Sequence, residues 1–268
     1  ISSLIKLIEC DGTDKEMFIS LYSDFVSALY EKSDDLCEYI NLLLQNDENI
    51  YVKESAKGDP SPFMQNAVEN ELDLLAKLSQ ISCEDVKAIC NTDIYLPQWK
   101  NSDLSIKDEY IKKISSIKTT GYGIYANHHM FLYKDEKILP VKFPDTQRLS
   151  QMSGYELERQ KVIDNTMALV QGKPCNNVLL YGDAGSGKSS TIKAIVNEFW
   201  QQGLRLIEIK KNQLYSLPDV IEQLADNPLK FIIFIDDLSF STNDNDFGAL
   251  KAILEGGVSG KTENIAIY

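Results

Sequence analysis

Val178-Leu179-Leu180-Tyr181-Gly182-Asp183-Ala184-Gly185-Ser186-Gly187-Lys188-Ser189 reads as an apolar strand, a glycine-rich turn and the first residues of a helix. The turn fits G-x-x-x-x-G-K-[ST] and stands where that pattern carries chemistry, between a strand and a helical periodicity. Small residues there let the backbone N–H groups of Gly182, Asp183, Ala184, Gly185, Ser186 and Gly187 wrap phosphate oxygens. The helix start at Lys188, Ser189 and Ser190 adds unpaired amides and a positive dipole end. Lys188 is expected to reach the β and γ phosphates, and the Ser189 hydroxyl to ligate Mg²⁺.

Farther along, Phe231-Ile232-Ile233-Phe234-Ile235-Asp236-Asp237 is too uniformly apolar for a half-exposed strand. It predicts a central strand that delivers two carboxylates to the carboxyl edge of the sheet, where ligands of open α/β sheets bind. In a Walker B arrangement Asp236 would hold the metal shell and Asp237 would polarise the attacking water. Apolar runs over 178–181, 204–209, 231–235 and 265–268 alternate with helical patterns over 189–200, 220–225 and 247–254. That alternation predicts a three-layer αβα sandwich with a parallel sheet over residues 146–268. A strand at 204–209, between the loop's helix and the carboxylate strand, is an order typical of ATPases. No N-K-x-D guanine reader is present, so ATP with Mg²⁺ is the expected ligand pair.

Upstream, residues 1–145 predict a mainly helical region. Phe18, Leu21, Tyr22, Phe25, Val26 and Leu29, and then Leu36, Tyr39, Ile40 and Leu43, recur at helical spacing. Ser61-Pro62 and Ser82 with Asp85 mark helix starts, Ser105 with Asp108 marks another, and residues 51–61 read as a loop. Apolar runs on either side of a charged turn at 134–137 predict a β-hairpin near 125–141. His128-His129 beside it has no other ligand type nearby and is read as a structural pair. Trp99 and Trp200 are read as packing residues.

The net charge of -13 is unevenly shared, with 25 acidic and 15 basic residues before Gln147 and 15 and 12 from there on. An acidic front half disfavours nucleic acid, although Lys210, Lys211 and Lys230 leave a short basic strip. Five cysteines, Cys10, Cys37, Cys83, Cys90 and Cys175, form an odd set without a CxxC pair. They argue against zinc and against a disulfide framework, and suit the reducing cytoplasm. No membrane span or signal peptide is predicted. A start at Ile1 and an end at Tyr268, within a predicted strand, are expected of a fragment cut before sensor 1 and the helical lid.

Leu157-Glu158-Arg159-Gln160-Lys161, Asn165-Thr166, Gly172-Lys173-Pro174, Asn176-Asn177-Val178-Leu179-Leu180-Tyr181-Gly182, Phe234-Ile235-Asp236-Asp237-Leu238-Ser239-Phe240 and Leu250-Lys251-Ala252-Ile253-Leu254-Glu255-Gly256 resemble an uncharacterised bacterial AAA+ group, domain of unknown function 815. The resemblance implies an AAA+-like P-loop NTPase fold, ATP hydrolysis that drives movement on an unidentified protein partner, and assembly into a homo-oligomeric ring. The segment 152–156 resembles the AAA+ linker that clasps adenine, with Gly154 and Tyr155 as candidates; an ordinary interdomain linker is the other reading. Asp236-Asp237 departs from the usual Asp-Glu by one methylene, so slow hydrolysis is expected. The three arginines, Arg148, Arg159 and Arg205, match no arginine-finger position. The rival reading is a nucleotide-gated adaptor whose acidic helices bind a partner.

Overall fold

The computed structural model describes residues 2–10, 12–90, 94–238 and 262–268. The chain divides into two compact units, Ile1–Ser55 with Asp59–Ser115, and Ser116–Tyr268 with Ala56–Gly58.

The first unit is helical. Its elements are α1 (Ser2–Glu9), α2 (Lys15–Tyr30), α3 (Leu36–Asn46), most of α4 (Ile50–Lys57), α5 (Pro62–Ser79), α6 (Cys83–Ile89) and the start of α7 (Ile106–Thr120). Each helix from α2 to α7 begins on a side chain that accepts an orphan amide. Asp14 takes the Met17 N–H at 3.0 Å, Asp35 that of Glu38 at 2.9 Å and Asn49 that of Val52 at 2.9 Å. Ser61 takes Met64 at 3.3 Å, Ser82 takes Asp85 at 3.1 Å and Ser105 takes Asp108 at 3.3 Å. Such caps stabilise a helix start by about 1 kcal/mol each. Trp99 packs on Tyr22 and edge-on against Phe25, with ring centroids 5.7 and 5.2 Å away, and donates its indole N–H to the Ile81 carbonyl. Residues 51–61, expected as a loop, are helical over most of their length. The Asn49 cap starts α4, and Val52 and Ala56, four residues apart, are buried.

The second unit is a mixed α/β layer structure. Its strands are β1 (Met130–Lys134), β2 (Lys137–Pro140), β3 (Leu204–Ile209), β4 (Lys230–Ile235) and β5 (Ile265–Ile267), in the order β2-β1-β3-β4-β5. Only the β1–β2 pair is antiparallel. Further helices are α8 (Ile124–Asn127), α9 (Glu156–Val170), α10 (Lys188–Phe199) and α11 (Leu217–Ala225). Alternate residues of β3 and β4 face opposite sides, as strand geometry requires. Ile207, Ile209, Phe231 and Ile233 pack with Leu217, Val220 and Leu224 of α11. Leu206, Ile232 and Phe234 pack on the other side with Val162 and Leu169 of α9 and Ile192, Ile195 and Val196 of α10.

The expected hairpin forms, but it is not part of the helical region. Its turn is Asp135-Glu136, with φ 51° and 59°, the geometry of a two-residue type I′ turn. Met130, Phe131 and Leu132 pair in parallel with Leu206, Ile207 and Glu208. That pairing puts the hairpin in the same sheet as β3 and β4, so the second unit starts at Ser116 and not near 146. Gly121 closes α7 in the left-handed region at φ 76°, its N–H donating to the Ile117 carbonyl at 2.9 Å. A Cβ there would lie 2.4 Å from Leu229 Cδ1.

The expected strand over 178–181 makes a single ladder bond, Val178 N–H to the Ile267 carbonyl at 3.0 Å, and is not a strand of the sheet. Val178 and Leu180 pack on the core beside α9 and α10, whereas Leu179 and Tyr181 are exposed. The period of two is therefore present without a full ladder. The helix expected over 247–254, like the distinctive residues Ser239, Phe240, Leu250 and Lys251, lies outside the described residues.

Candidate functional site

The glycine-rich turn folds as a loop that ends on α10. Gly182, Gly185 and Gly187 all have positive φ, 146°, 79° and 81°. Gly187 occupies the position before the helix, in the left-handed region, and no side chain caps α10. Thr191 turns back on it, through N–H and Oγ1, each 2.8 Å from the Gly187 carbonyl. The first amides of a twelve-residue helix thus face the loop without a side-chain acceptor, an arrangement suited to an anion. Lys188 Nζ donates to the carbonyls of Gly182 and Asp183, both at 2.9 Å, and to Ser186 Oγ at 3.3 Å. Its ammonium therefore lies over the loop.

β4 brings its carboxylates to the same place. Ser189 Oγ donates to Asp236 Oδ1 at 2.9 Å, across 47 residues of sequence. The Asp237 N–H donates to that same oxygen at 3.0 Å, and Asp237 itself sits at φ 57°. A left-handed aspartate costs on the order of 1 kcal/mol and is tolerated where the surrounding structure fixes it. Among the described residues no cluster of three or more His, Cys, Asp or Glu could hold a metal ion. Ser189 and Asp236 offer the hydroxyl and carboxylate oxygens that suit Mg²⁺, a hard ion that keeps waters and completes its shell with phosphates. Beside the carboxylates, at the carboxyl ends of β3 and β4, lies an open cleft of about 500 Å³. Glu208, Lys210, Lys211, Asn212, Asp236 and Asp237 line it together with Ile209.

Gly154 and Tyr155 lie just before α9, both left-handed at φ 77° and 57°. Arg159, one turn into α9, folds back and donates to the carbonyls of Met152 and Gly154, while the Gly154 N–H reaches Glu156 Oε1 at 3.0 Å. Met152 completes the approach. Its Cε lies 3.5 Å from where a Gly187 Cβ would stand, and its sulfur is 4.0 Å from Thr191 Oγ1. The linker and the glycine loop are therefore adjacent.

One residue outside the sequence reading, Asn197, belongs to this framework, and it engages His129, which was read as half of a structural pair. Asn197, buried on α10, donates from Nδ2 to the carbonyls of Asp145 and Gln147 at 2.7 and 2.9 Å. Its Oδ1 lies 3.0 Å from His129 Nε2, and its own carbonyl accepts from Arg148 Nη1 at 3.2 Å. His129 stacks on Trp200 at 5.3 Å. Burial, chiefly, lowers its pKa below the ordinary 6.5. A polar residue at 197, after Ala194-Ile195-Val196, was the one local signal, and it does not name a partner.

This fold and loop define an α/β protein built on a mainly parallel sheet, with a glycine-rich turn, a helix start and a carboxylate strand brought together at one edge. Residues 126–268, more than half of the chain, match the family described as protein of unknown function (DUF815), and the chain belongs to that family. No curated protein and no solved structure matches it. No helix among the described residues is long and apolar enough to cross a membrane.

Proposed function

We propose that the chain is an ATP-binding P-loop NTPase of the AAA+ kind that hydrolyses ATP with Mg²⁺ and uses the cycle to move a macromolecular partner. The observation that carries this reading is the 2.9 Å contact between Ser189 Oγ and Asp236 Oδ1. It joins the last residue of the glycine-rich motif to the first carboxylate of the apolar strand, as a shared metal shell requires. The uncapped start of α10 would hold the phosphates, and Lys188 would turn from the loop carbonyls to the γ-phosphate. Bound Mg²⁺, held by Ser189 and Asp236, would supply neutralisation of phosphate charge. Asp237, placed by its amide bond to Asp236, would orient the attacking water and accept its proton. Gly154 and Tyr155 would lie at the base end, held by Arg159.

A second reading, a nucleotide-gated adaptor that binds ATP and rarely cleaves it, is favoured by one observation. Asp237 is shorter than the usual glutamate and is held in a left-handed conformation. Steady-state turnover measured beside binding separates the two. On the hydrolase reading, Asp237→Asn lowers turnover about 100-fold or more and leaves ATP affinity nearly unchanged. Binding by wild type without turnover establishes the adaptor instead.

A further inference from the structure

We propose that Asn197 is a positioning residue for the nucleotide base, because it fixes the register in which residues 145–152 run along α10 and so sets Met152 against the phosphate loop. The inference rests on the ATP-binding reading above and deepens it.

The segment is tied to α10 at two places. At the C-terminal end of the helix the buried Asn197 amide donates to two carbonyls, those of Asp145 and Gln147. Its remaining oxygen is taken by His129 Nε2, which fixes the orientation of the amide, and Arg148 returns a bond to the Asn197 backbone. At the N-terminal end Met152 reaches Gly187 and Thr191. Nine residues of helix separate Lys188 from Asn197, about 13 Å at 1.5 Å per residue. The segment 147–152, one short turn of which is Leu149–Gln151, connects these two places. A slip of one residue at Asn197 would carry Met152 about 3 Å away from Gly187.

Nothing smaller achieves this. The two donors must come from one planar amide, and the acceptor must face a ring N–H; aspartate has the shape and lacks both donors. The Met152 side chain is then the apolar surface on which the base rests, next to the amides that hold its phosphates. Asn197 acts through it and does not itself touch the ligand.

The test compares two ligands, MgATP and magnesium tripolyphosphate, the second having phosphates and no base. Asn197→Asp is expected to weaken MgATP about tenfold and leave tripolyphosphate within about twofold. Met152→Ala, at a half-exposed side chain, is expected to shift the same ratio without lowering the melting temperature. Equal loss of both ligands in Asn197→Asp would make Asn197 a merely structural residue and overturn the proposal. An unchanged ratio in Met152→Ala would overturn it also if Asn197→Asp does not fold. Wild type that binds neither ligand would instead refute the underlying ATP-binding reading.

Discussion

The two units treat the ends of their helices in opposite ways. In the first, α2 to α7 all begin on an Asp, Asn or Ser side chain that satisfies an amide three residues on. In the second, α8, α9, α10 and α11 begin with no side-chain cap at all. Left-handed residues divide similarly: among the described residues before Ser116 only Gly12 has a positive φ, and all the rest follow it. A unit that satisfies its backbone locally has no opening for a ligand at a helix start. A unit that leaves α10 open, with glycines and a carboxylate in unusual conformations around it, concentrates its uncommitted polar groups at one edge.

The second unit meets its backbone demands at long range. Among the described residues Arg205 is the largest fully buried side chain, and its guanidinium donates to the carbonyls of Thr120, Tyr125, Trp200 and Leu204 at 2.7–3.0 Å. Burial holds its pKa down to about 10. Arg205→Met should be the most damaging substitution, because it strands those carbonyls in the interior. A loss of about 3 kcal/mol or more is expected. With one tryptophan in each unit, urea unfolding of Trp99-only and Trp200-only variants reads the two separately; a loss confined to the Trp99 signal would break the comparison.

Lys113 is the counterpart in the first unit. It is buried, donates to the carbonyls of Leu44 and Asp47 at 2.6 and 2.9 Å, and is held at about 8 by desolvation, against an ordinary 10.5. Above pH 8 the unfolded chain keeps a proton that the folded one has released, so the contribution of Lys113 to stability rises with pH toward the unfolded value of about 10.4. A gain on the order of 1 kcal/mol across that window, absent in Lys113→Met, is expected in the Trp99 signal.

Removing a local cap should cost about 1 kcal/mol, as in Ser61→Ala or Asp14→Ala, each read by thermal unfolding. The same measurement on Ser216→Ala, at the uncapped start of α11, should show no loss of cap energy. The smallest effect concerns His129. Its folded pKa lies below 6.5, so the unfolded chain gains the proton first and stability falls as pH drops below 6.5. His129→Gln should flatten that part of the Trp200 profile.

The same contrast explains what could be read from the sequence. Caps act over three residues, so Ser61, Ser82 and Ser105 were legible, and so were β3 and β4, whose apolar runs are buried on both faces. The glycine-rich turn before α10 and the carboxylates ending β4 were legible as local patterns, and the structure brings Ser189 and Asp236 within 2.9 Å. Asn49 was missed as a cap, which turned α4 into an expected loop. The parallel pairing of β1 with β3, and the bonds of Arg205, Asn197 and Arg159, join residues that no periodicity connects. The boundary near 146 failed for that reason: a hairpin is local, but the sheet it joins is not.

The central claim is tested most directly by isothermal titration of MgATP into wild type and Lys188→Ala. Saturable binding by wild type is predicted, weakened about 10- to 100-fold in the variant, because a hydrogen bond to a charged group contributes about 1.5–3 kcal/mol. Wild type that takes up no ATP, or a variant that binds it equally well, would contradict the account.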